Sequence, residues 1–375
     1  MLKLPGTLTA ESFLDRYWQK EHLFMQHALP RVRPSISRNE LAWLATLDDV
    51  ESRLVFAERD AEQTRYVAET GPFDNEFLAA LPRRDWTLLV HDVEKHLPAM
   101  RKLFALVPFI PDWRIDDLMV SFAAPGGGVG PHRDNYDVFL CQGIGEREWH
   151  VTSEDIGPNP MASDDLALTE NFAGEQHLVH DGDVLYLPPG VAHWGTARRA
   201  CMTYSIGMRA PQLSDLSEQL SETEGRNPFY VDPALDVSES TIGYISPASV
   251  RRAMHLLQST DDEFERVAVT LGRFVTETKD WITPDPLSEE DATSLLIELR
   301  RGARLDVHGM ARIAFDDRNL YVNGRNMALP EEARPLVAQI CARRRYRGSA
   351  RAVETWRNLL KWMLKMGTFE IAETV

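Results

Sequence analysis

Two short stretches decide the fold of this chain: residues 125–134 read PGGGVGPHRD, and residues 186–195 read YLPPGVAHWG. Each stretch sets a histidine shortly behind a turn that is rich in glycine or proline. In a strand, residues i and i+2 point to the same side, so His132 and Asp134 can reach one metal ion together. Two histidines and one carboxylate on one face are the ligand set of many non-haem iron(II) sites. The sequence therefore predicts a metal site made of His132, Asp134 and His193.

The surrounding sequence has the pattern of a β-barrel or a β-sandwich. Short apolar or alternating runs are separated by turn residues, as is typical of these folds, over residues 118–122, 136–142, 147–152, 184–187 and 201–208. The acidic segment 153–175 interrupts the series, and its length indicates a loop of the kind that serves as a lid or a binding loop. His177 and His180 precede a Gly-Asp turn, and we interpret them as loop or strand-start residues.

The chain is too long for one hydrophobic core, because 375 residues exceed the size at which chains divide into domains. Helix-start signals occur at Thr9 and Ser37, and helical spacing of apolar residues covers 94–106. Helical patterns return after residue 211, a proline-rich break covers 283–286, and turn signals at 316–317 and 323–324 indicate a hairpin. We predict three parts: a barrel with N-terminal helices over 1–211, a helical segment over 212–283, and a winged-helix-like domain over 284–375.

Arg147 lies in a run that alternates between two faces, as a strand does. Arg147, Trp149 and Val151 share the face that suits a barrel interior, whereas His150 falls on the other face, which we expect to meet solvent. Burial of an unpaired charge is unfavourable, so an interior arginine needs an anionic partner. That partner is either an acidic ligand, which a planar guanidinium binds bidentately, or an aspartate in an internal salt bridge.

Composition disfavours several classes of protein. The formal net charge of −16 repels nucleic acid and attracts basic partners, although acidity that only maintains solubility explains the same number. The three cysteines lie far apart, which disfavours a disulfide framework and fits a reducing cytoplasm. The N-terminus lacks the apolar run of a signal peptide, and no segment has the length of a membrane span. We therefore expect a cytoplasmic protein without a membrane or nucleic-acid partner.

The run RRRYR at residues 343–347 is locally basic in an acidic chain. In a winged helix such a run can contact nucleic acid. Because the chain as a whole is acidic, we favour contacts between this run and acidic patches on the chain's own barrel.

The two histidine stretches resemble those of the jelly-roll barrels of the cupin superfamily and, more narrowly, of the JmjC oxygenases. The runs 118–137 and 180–209 are similar to the bacterial ribosomal oxygenases, which hydroxylate an arginine of a large-subunit ribosomal protein, and the three-part layout also matches. The resemblance implies an α+β fold. A JmjC-type double-stranded β-helix (jelly-roll/cupin) barrel would precede a helical dimerisation segment and a winged-helix-like C-terminal domain.

The resemblance also implies an Fe(II)- and 2-oxoglutarate-dependent protein hydroxylase that consumes dioxygen and releases succinate and carbon dioxide. His132, Asp134 and His193 would hold the iron as catalytic residues, and His132 and Asp134 would border the 2-oxoglutarate. Arg147 would bind the distal carboxylate of 2-oxoglutarate. Ser121 alternates with two apolar residues and could add a hydroxyl to the same carboxylate.

Substrate binding is expected just beyond the metal ligands. Tyr136 and Asp137 could meet a basic side chain at the mouth of the barrel, because an aromatic face and a carboxylate suit a guanidinium. Asp137 could equally be a surface turn residue. The acidic residues between 164 and 175 would help to attract a basic ribosomal protein, and the helical segment would form a homodimer.

Other readings of the same residues stay open at this point. A cupin enzyme that acts on a small molecule without 2-oxoglutarate would keep the metal ligands but would not need Arg147 inside. A non-enzymatic regulator would fuse a sensing barrel to a DNA-binding winged helix and would bind DNA in a salt-dependent way. Lysine demethylation is a further activity of JmjC proteins, and the fold alone does not choose among these functions.

Overall fold

The computed structural model describes residues 1–31, 33–59, 64–154, 156, 172–217 and 227–371. Of the segment 153–175 that we predict as a loop, residues 155 and 157–171 lie outside these ranges. The described residues divide into two units. The first unit comprises 1–108, 115–209 and 233–237, and the second comprises 109–114, 210–232 and 238–375. The domain boundaries at residues 211 and 283 stay predictions.

Antiparallel strands build the first unit, over Leu23–Met25 (β1), Ser52–Arg59 (β2), Thr64–Thr70 (β3), Trp86–Val90 (β4), Ile115–Ala123 (β5), Val138–Ile144 (β6), Glu146–Thr152 (β7), Glu175–His180 (β8), Val184–Leu187 (β9), Ala192–Ala197 (β10) and Cys201–Met208 (β11). The larger sheet has the order β1-β9-β6-β11-β5-β4-β2-β3, and the smaller sheet has the order β10-β7-β8. The strands predicted from the sequence correspond to β5, β6, β7, β9 and β11.

The chain alternates between the two sheets in the manner of a jelly roll. After β5 it crosses to the smaller sheet at His132, whose backbone bridges His193 of β10, and it returns to the larger sheet in β6. It crosses again in β7 and β8, returns in β9, crosses in β10 and returns in β11. Within the described ranges the two sheets are separate ladders and not one closed ring of strands. The predicted double-stranded β-helix is confirmed in this form.

Apolar side chains from both sheets pack together in one core. This core contains Val138, Leu140, Trp149, Val151, Val179, Leu185, Leu187 and Val191. Residues that pair directly across an antiparallel ladder share a face of the sheet. The core residues of one strand therefore show which side chains of the neighbouring strand point inward. The inner faces of β5, β10 and β11 follow from this rule, and they carry the candidate site.

Short helices accompany the sheets of the first unit, over Ala10–Arg16 (α1), Arg38–Leu44 (α2), Asn75–Ala79 (α3) and Val93–His96 (α4). Thr9 caps α1 and Ser37 caps α2, as the sequence predicts, and each forms a capping box with the residue three positions later.

The single helix predicted over 94–106 is wrong. The α-helix ends at His96, and a 3-10 helix covers Pro98–Leu106. Pro98 explains the break, because a proline disfavours the helical conformation of the residue before it. Leu97 accordingly has φ of −124° and ψ of 83°.

The second unit contains the remaining elements, over Leu213–Leu216 (α5), Pro247–Leu257 (α6), Phe264–Thr276 (α7), Glu289–Arg300 (α8), Arg304–Val307 (β12), Ile313–Phe315 (β13), Asn319–Val322 (β14), Arg325–Ala328 (β15), Arg334–Arg343 (α9), Arg345–Arg347 (β16), Ala350–Thr355 (α10), Arg357–Lys365 (α11) and Phe369–Ile371 (β17). Its sheets have the orders β16-β12-β17 and β13-β14-β15. Asn323 and Gly324 have positive φ and join β14 to β15, which confirms the predicted hairpin turn.

No helix within the described ranges is long and apolar enough to span a membrane.

Candidate metal and co-substrate site

Two turns deliver the predicted metal ligands to the inside of the jelly roll. The backbones of His132 and His193 exchange two hydrogen bonds, of 3.0 Å and 2.8 Å, which tie the first turn to the start of β10. Gly130 has φ of +89°, and an added Cβ would lie 2.8 Å from the ring of Tyr66. Both facts favour glycine at this position, because other residues would be strained and would clash.

His132, Asp134 and His193 come together as the sequence predicts. One ligand atom from each lies within 4.8 Å of the other two. The His193 Nε2 lies 3.7 Å from Asp134 Oδ2, and the centroids of the two imidazole rings are 4.2 Å apart. His193 is buried, whereas His132 and Asp134 are partly exposed. This geometry suits a metal ion that has protein ligands on one side and open positions on the other.

Backbone carbonyls orient both imidazoles. The Nδ1 of His132 lies 3.0 Å from the oxygen of Gly130, and the Nδ1 of His193 lies 3.0 Å from the oxygen of Val191. A carbonyl only accepts, so each Nδ1 donates and each Nε2 keeps a free lone pair, as metal-binding histidines require. Burial, followed by the neighbouring His132, lowers the pKa of His193 to about 4, so its imidazole is neutral at physiological pH.

Arg147 is a buried cation that lacks the partner it needs. Its side chain is 4% exposed, and its Nε and Nη2 have no hydrogen-bond partner among the described residues. The guanidinium lies 5.3 Å from the centroid of the Trp149 ring. Unsatisfied buried donors on a positive group are unfavourable unless an anion binds there. The arrangement therefore fits the carboxylate of an acidic ligand and does not support an internal salt bridge.

The ladder between β7 and β10 relates Arg147 to the metal ligands. Val151 pairs with His193, and Arg147 pairs with Ala197, so all four side chains point to the inner face. Arg147 and Val151 are four residues apart on one strand, which corresponds to about 13 Å. A ligand with acidic groups at both ends can therefore approach the triad with one end and Arg147 with the other.

Ser121 lies on the inner face of the larger sheet together with Gln142 and Thr203, two polar residues that were not predicted from the sequence. Gln142 of β6 pairs with Thr203 of β11, and Thr203 pairs with Ser121 of β5. Leu140 precedes Gln142 by two residues and belongs to the core, so these three side chains point inward as well. The Thr203 hydroxyl donates to Gln142 Oε1 at 3.1 Å. Thr203 lies between Met202 and Tyr204. A polar residue within such an apolar strand is a sequence signal that could have predicted its place at the site.

Tyr136 lies near a group of carboxylates at the edge of the site. The residue is 39% exposed. Burial around the hydroxyl, together with Asp134, Asp117 and Asp116, raises the pKa of Tyr136. An added Cβ at Gly207 would lie 3.2 Å from Asp117 Oδ1 and 3.8 Å from Tyr136 Cε2, so both side chains lie over this glycine. Tyr136 and Asp117 are thus neighbours at the edge of the site, which we call the acidic opening. The other oxygen of Asp117, Oδ2, lies 3.1 Å from His91 Nδ1 and accepts from the Asp92 N–H at 3.3 Å, so Oδ1 is the atom that faces Gly207.

Asp137 is not at this opening, and our expectation for its position requires a correction. It is fully buried, and its carboxylate accepts hydrogen bonds from the Tyr186 hydroxyl at 2.5 Å and from Gln19 Nε2 at 3.0 Å. Asp137 directly precedes β6, whose residues Val138 and Leu140 point into the core, so the Asp137 side chain points to the opposite face. The structure thus places Asp137 in a structural hydrogen-bond cluster.

The structure gives the positions of three other histidines. His150 does point away from the inner face, but it is only 8% exposed because it stacks on Trp194 with a centroid distance of 3.9 Å. His177 and His180 were expected in a loop or at a strand start, and both lie within β8: His177 is its third residue, near the start, and His180 is its last residue. Of these two, His177 is buried and His180 is exposed.

The basic run 343–347 contacts groups of its own unit. Arg345 forms an ion pair with Asp306, the residue opposite it in the β12–β16 ladder. Arg344 donates to the backbone oxygens of His308 and Ala311 at 2.9 Å and 3.2 Å. These partners belong to the second unit, whereas we expected acidic groups on the barrel.

Two protein-family models match the chain, one over each of two separate ranges. The profile described as JmjC domain matches residues 102–216, and the profile described as ROXA-like winged helix matches residues 256–360. The chain is 31% identical over 332 residues to the ribosomal protein uL16 3-hydroxylase of Escherichia coli (strain K12), which covers 86% of this chain and 87% of that protein. It is 36% identical over 241 residues to a probable ribosomal oxygenase of Haemophilus influenzae, covering 63% of this chain and 57% of that protein.

The chain is also similar in structure to a solved ribosomal oxygenase. The structure of YcfD, a ribosomal oxygenase from Escherichia coli, in complex with cobalt and 2-oxoglutarate has a TM-score of 0.72 at 27% identity, with 100% of both chains covered. The complex of the same protein with cobalt and succinic acid has a TM-score of 0.69, again with full coverage of both chains. The relatives, the matched domains and the inward-facing triad lead to one conclusion: this chain belongs to the bacterial ribosomal oxygenases of the JmjC type.

Proposed function

We propose that the chain is an Fe(II)- and 2-oxoglutarate-dependent hydroxylase that modifies an arginine side chain of a large-subunit ribosomal protein. The observation that carries this proposal is the inner face of the jelly roll. It combines a two-histidine, one-carboxylate triad with a buried Arg147 whose donors have no partner among the described residues. An enzyme that does not use an acidic co-substrate has no need for such an arginine.

Each residue of the site has a distinct task in this proposal. His132, Asp134 and His193 hold the iron from one side, and the carbonyls behind the imidazoles keep both Nε2 atoms directed at it. Arg147 binds the distal carboxylate of 2-oxoglutarate, with Ser121 and Thr203 on the facing sheet. When bound, iron, 2-oxoglutarate and dioxygen supply the hydroxylation chemistry and yield succinate and carbon dioxide.

The acidic opening supports a basic target side chain. Asp117 and Tyr136 offer a carboxylate and an aromatic ring beside the metal site, and both groups suit a guanidinium. The net charge of −16 favours the approach of a basic protein to this opening. The choice of arginine over another basic residue rests on these two groups and on the likeness to the ribosomal oxygenases.

A direct test uses the purified chain with iron(II), ascorbate, 2-oxoglutarate and a mixture of large-subunit ribosomal proteins. We expect mass spectrometry to find the gain of one oxygen on an arginine-containing peptide, only with 2-oxoglutarate and not with the His193→Ala variant. Hydroxylation of a different residue would overturn the arginine assignment alone. Succinate formation without any modified ribosomal protein would overturn the proposed substrate, and the absence of both products in iron-loaded protein would overturn the proposed activity.

We also propose, from the same likeness, that the chain forms a homodimer through the segment 212–283. Light scattering coupled to size-exclusion chromatography tests this proposal. A mass of about 85 kDa, twice the 42.6 kDa of one chain, is expected, and a monomer mass would overturn it.

A further inference from the structure

A second group of metal-ligating side chains lies in the first unit, apart from the triad. His22 precedes β1, and Glu175 and His177 belong to β8. One ligand atom from each lies within 4.8 Å of the other two. Glu175 Oε2 is 3.0 Å from His22 Nε2, and Glu175 Oε1 is 3.3 Å from His177 Nε2. Ligands of a tetrahedral ion with bonds of about 2.0–2.1 Å are separated by roughly 3.3 Å, so the carboxylate already has suitable spacing to both rings.

The buried His177 lacks a well-aligned hydrogen bond at its Nε2 within the described part of the chain. Its side chain is 9% exposed, and although Glu175 Oε1 lies 3.3 Å from its Nε2, no described residue makes a well-aligned hydrogen bond to that nitrogen. The ring of Phe24 packs against it with a centroid distance of 5.0 Å. A buried ring nitrogen without a well-aligned hydrogen bond is unfavourable, and a cation bound between this nitrogen and the Glu175 carboxylate supplies the missing contact.

The position of the group gives such an ion a structural task. β1 is the edge strand of the larger sheet, and β8 is the edge strand of the smaller sheet. His22 stands next to one edge, while Glu175 and His177 belong to the other. An ion bound by all three side chains therefore joins the two sheets at a side of the jelly roll where the described residues form no backbone ladder between them.

Water has room to complete the coordination of the ion. A cavity of about 580 Å³ lies against the group, and His22, Glu175 and His177 form part of its lining. The Glu175 side chain lines this cavity and is 61% exposed. A site with three protein ligands and an open fourth position is a known arrangement for zinc.

We propose that His22, Glu175 and His177 bind a divalent transition-metal ion of the zinc class, which cross-links the edges of the two sheets. Imidazole nitrogens favour such an ion over calcium or magnesium, which take oxygen ligands. Two neutral imidazoles and one carboxylate leave the bound ion with a net charge of about +1, which the adjoining water can solvate.

The test counts metal ions on the full-length chain, with zinc as the probe. Chelator-treated protein is dialysed against zinc, and bound metal is measured by mass spectrometry. We expect two ions per chain in the wild type and one in the His132→Ala/His193→Ala variant, which lacks the first site. In that background, Glu175→Gln should weaken zinc binding by at least about a hundredfold, more than the loss of an outer partner of a ligand.

His180→Ala is the matched control, since His180 is a histidine of the same strand whose side chain is 51% exposed. It should retain the second ion. His22→Gln is an independent variant that avoids the buried His177, and it should lose the ion as Glu175→Gln does. Zinc should also raise the unfolding temperature of the His132→Ala/His193→Ala protein, because the ion binds only the folded chain. No second ion, or a second ion that both Glu175→Gln and His22→Gln retain, would overturn the proposal.

Discussion

At the scale of single residues, Arg147 connects binding with stability. A buried guanidinium with unpartnered donors weakens the fold until an anion binds, so Arg147→Met should have two opposite effects. The KM for 2-oxoglutarate should rise by about 10- to 150-fold, which corresponds to the loss of a charged hydrogen bond. The unfolding temperature of the ligand-free protein should stay the same or rise. Succinate formation over a range of 2-oxoglutarate concentrations and thermal unfolding measure the two effects.

Arg198→Met is the control for this prediction, because Arg198 is 56% exposed and pairs with Glu148 outside the core. It should leave the KM for 2-oxoglutarate unchanged. A marked loss of stability in ligand-free Arg147→Met would show that the guanidinium has a protein partner, and the assignment of Arg147 to the co-substrate would then fail.

Asp117 tests the acidic opening. The Asp117→Asn substitution keeps the shape of the side chain and removes its charge beside Tyr136. We expect the KM for the ribosomal protein to rise by about 10- to 100-fold, as for the loss of a charge-assisted contact, while the KM for 2-oxoglutarate stays unchanged. Asp181→Asn removes one charge from an exposed position and should have little effect. Equal effects of the two substitutions on hydroxylation rates would remove Asp117 from substrate binding.

The sequence predicted that His132, Asp134 and His193 come together, because their convergence depends on local order. His132 and Asp134 are two residues apart, and a short turn fixes the position of His193. The role of Asp137 could not be predicted, since its partners Tyr186 and Gln19 are 49 and 118 residues away in the sequence. The burial of His150 could not be predicted either, because the residue that shields it from solvent, Trp194, belongs to another strand.

At the scale of structural elements, the hydrogen bonds of Tyr186 join β9 to neighbouring parts of the fold. Its hydroxyl donates to Asp137, which precedes β6, and accepts from the backbone N–H of Gln19 at 2.9 Å. Tyr186→Phe should therefore lower the free energy of unfolding by about 1–3 kcal/mol, as measured by urea denaturation. Tyr346→Phe is the control, because that buried hydroxyl has no hydrogen-bond partner among the described residues. Similar losses for both substitutions would contradict the importance of this contact.

The contact of α4 with β5 should make the stability of the protein depend on pH. Burial raises the pKa of Glu94 from 4.5 to about 7, although Lys95 opposes the shift. A raised pKa in the folded state means that the protonated form stabilises the fold below about pH 4.5 and that this contribution is lost as the pH rises to 7. The free energy of unfolding of the Glu94→Gln variant, relative to that of the wild type, should therefore increase by roughly 2–3 kcal/mol between pH 5 and pH 8.

Urea denaturation at both pH values measures this difference, and Glu69→Gln, at an exposed position of β3, is the control. Glu94 accepts a hydrogen bond from the Leu118 N–H at 3.0 Å, and the amide oxygen that Glu94→Gln introduces can still accept it. A difference between wild type and Glu94→Gln that is independent of pH would contradict the raised pKa.

Elements with a strong apolar pattern were predictable, and those without one were not. The boundaries predicted for β9 and β11 agree with the structure to the residue, because every position of both strands is buried. β3 is an edge strand without a buried residue, so its sequence carries no clear alternation. β2 and β4 were missed as well. β4 is an exception to the rule, because four of its five residues are buried, and its short apolar run alone did not distinguish a strand from a helix.

At the scale of the whole molecule, length indicated several domains, and the fold class was implied by the resemblance of the two histidine stretches to the JmjC oxygenases. The chemistry of the site required knowledge of which strands are neighbours. Thr203 and Ser121 are far apart in the sequence but pair directly across β11 and β5. Nothing in the spacing of these residues predicts that pairing, because ladder register depends on the packing of the entire sheet.

The net charge of −16 leads to a prediction for the whole molecule. Attraction between an acidic enzyme and a basic ribosomal protein raises the association rate, and salt screens this attraction over a Debye length of about 10 Å at 0.1 M. We expect kcat/KM for the intact ribosomal protein to fall steeply between about 0.05 M and about 0.5 M salt. A short peptide with the target arginine and few other charges should show a shallower dependence, because it feels little of the long-range field. Initial rates with both substrates across the salt range measure the two slopes. Equal slopes would mean that the overall charge serves solubility alone and that recognition is confined to the opening around Asp117 and Tyr136.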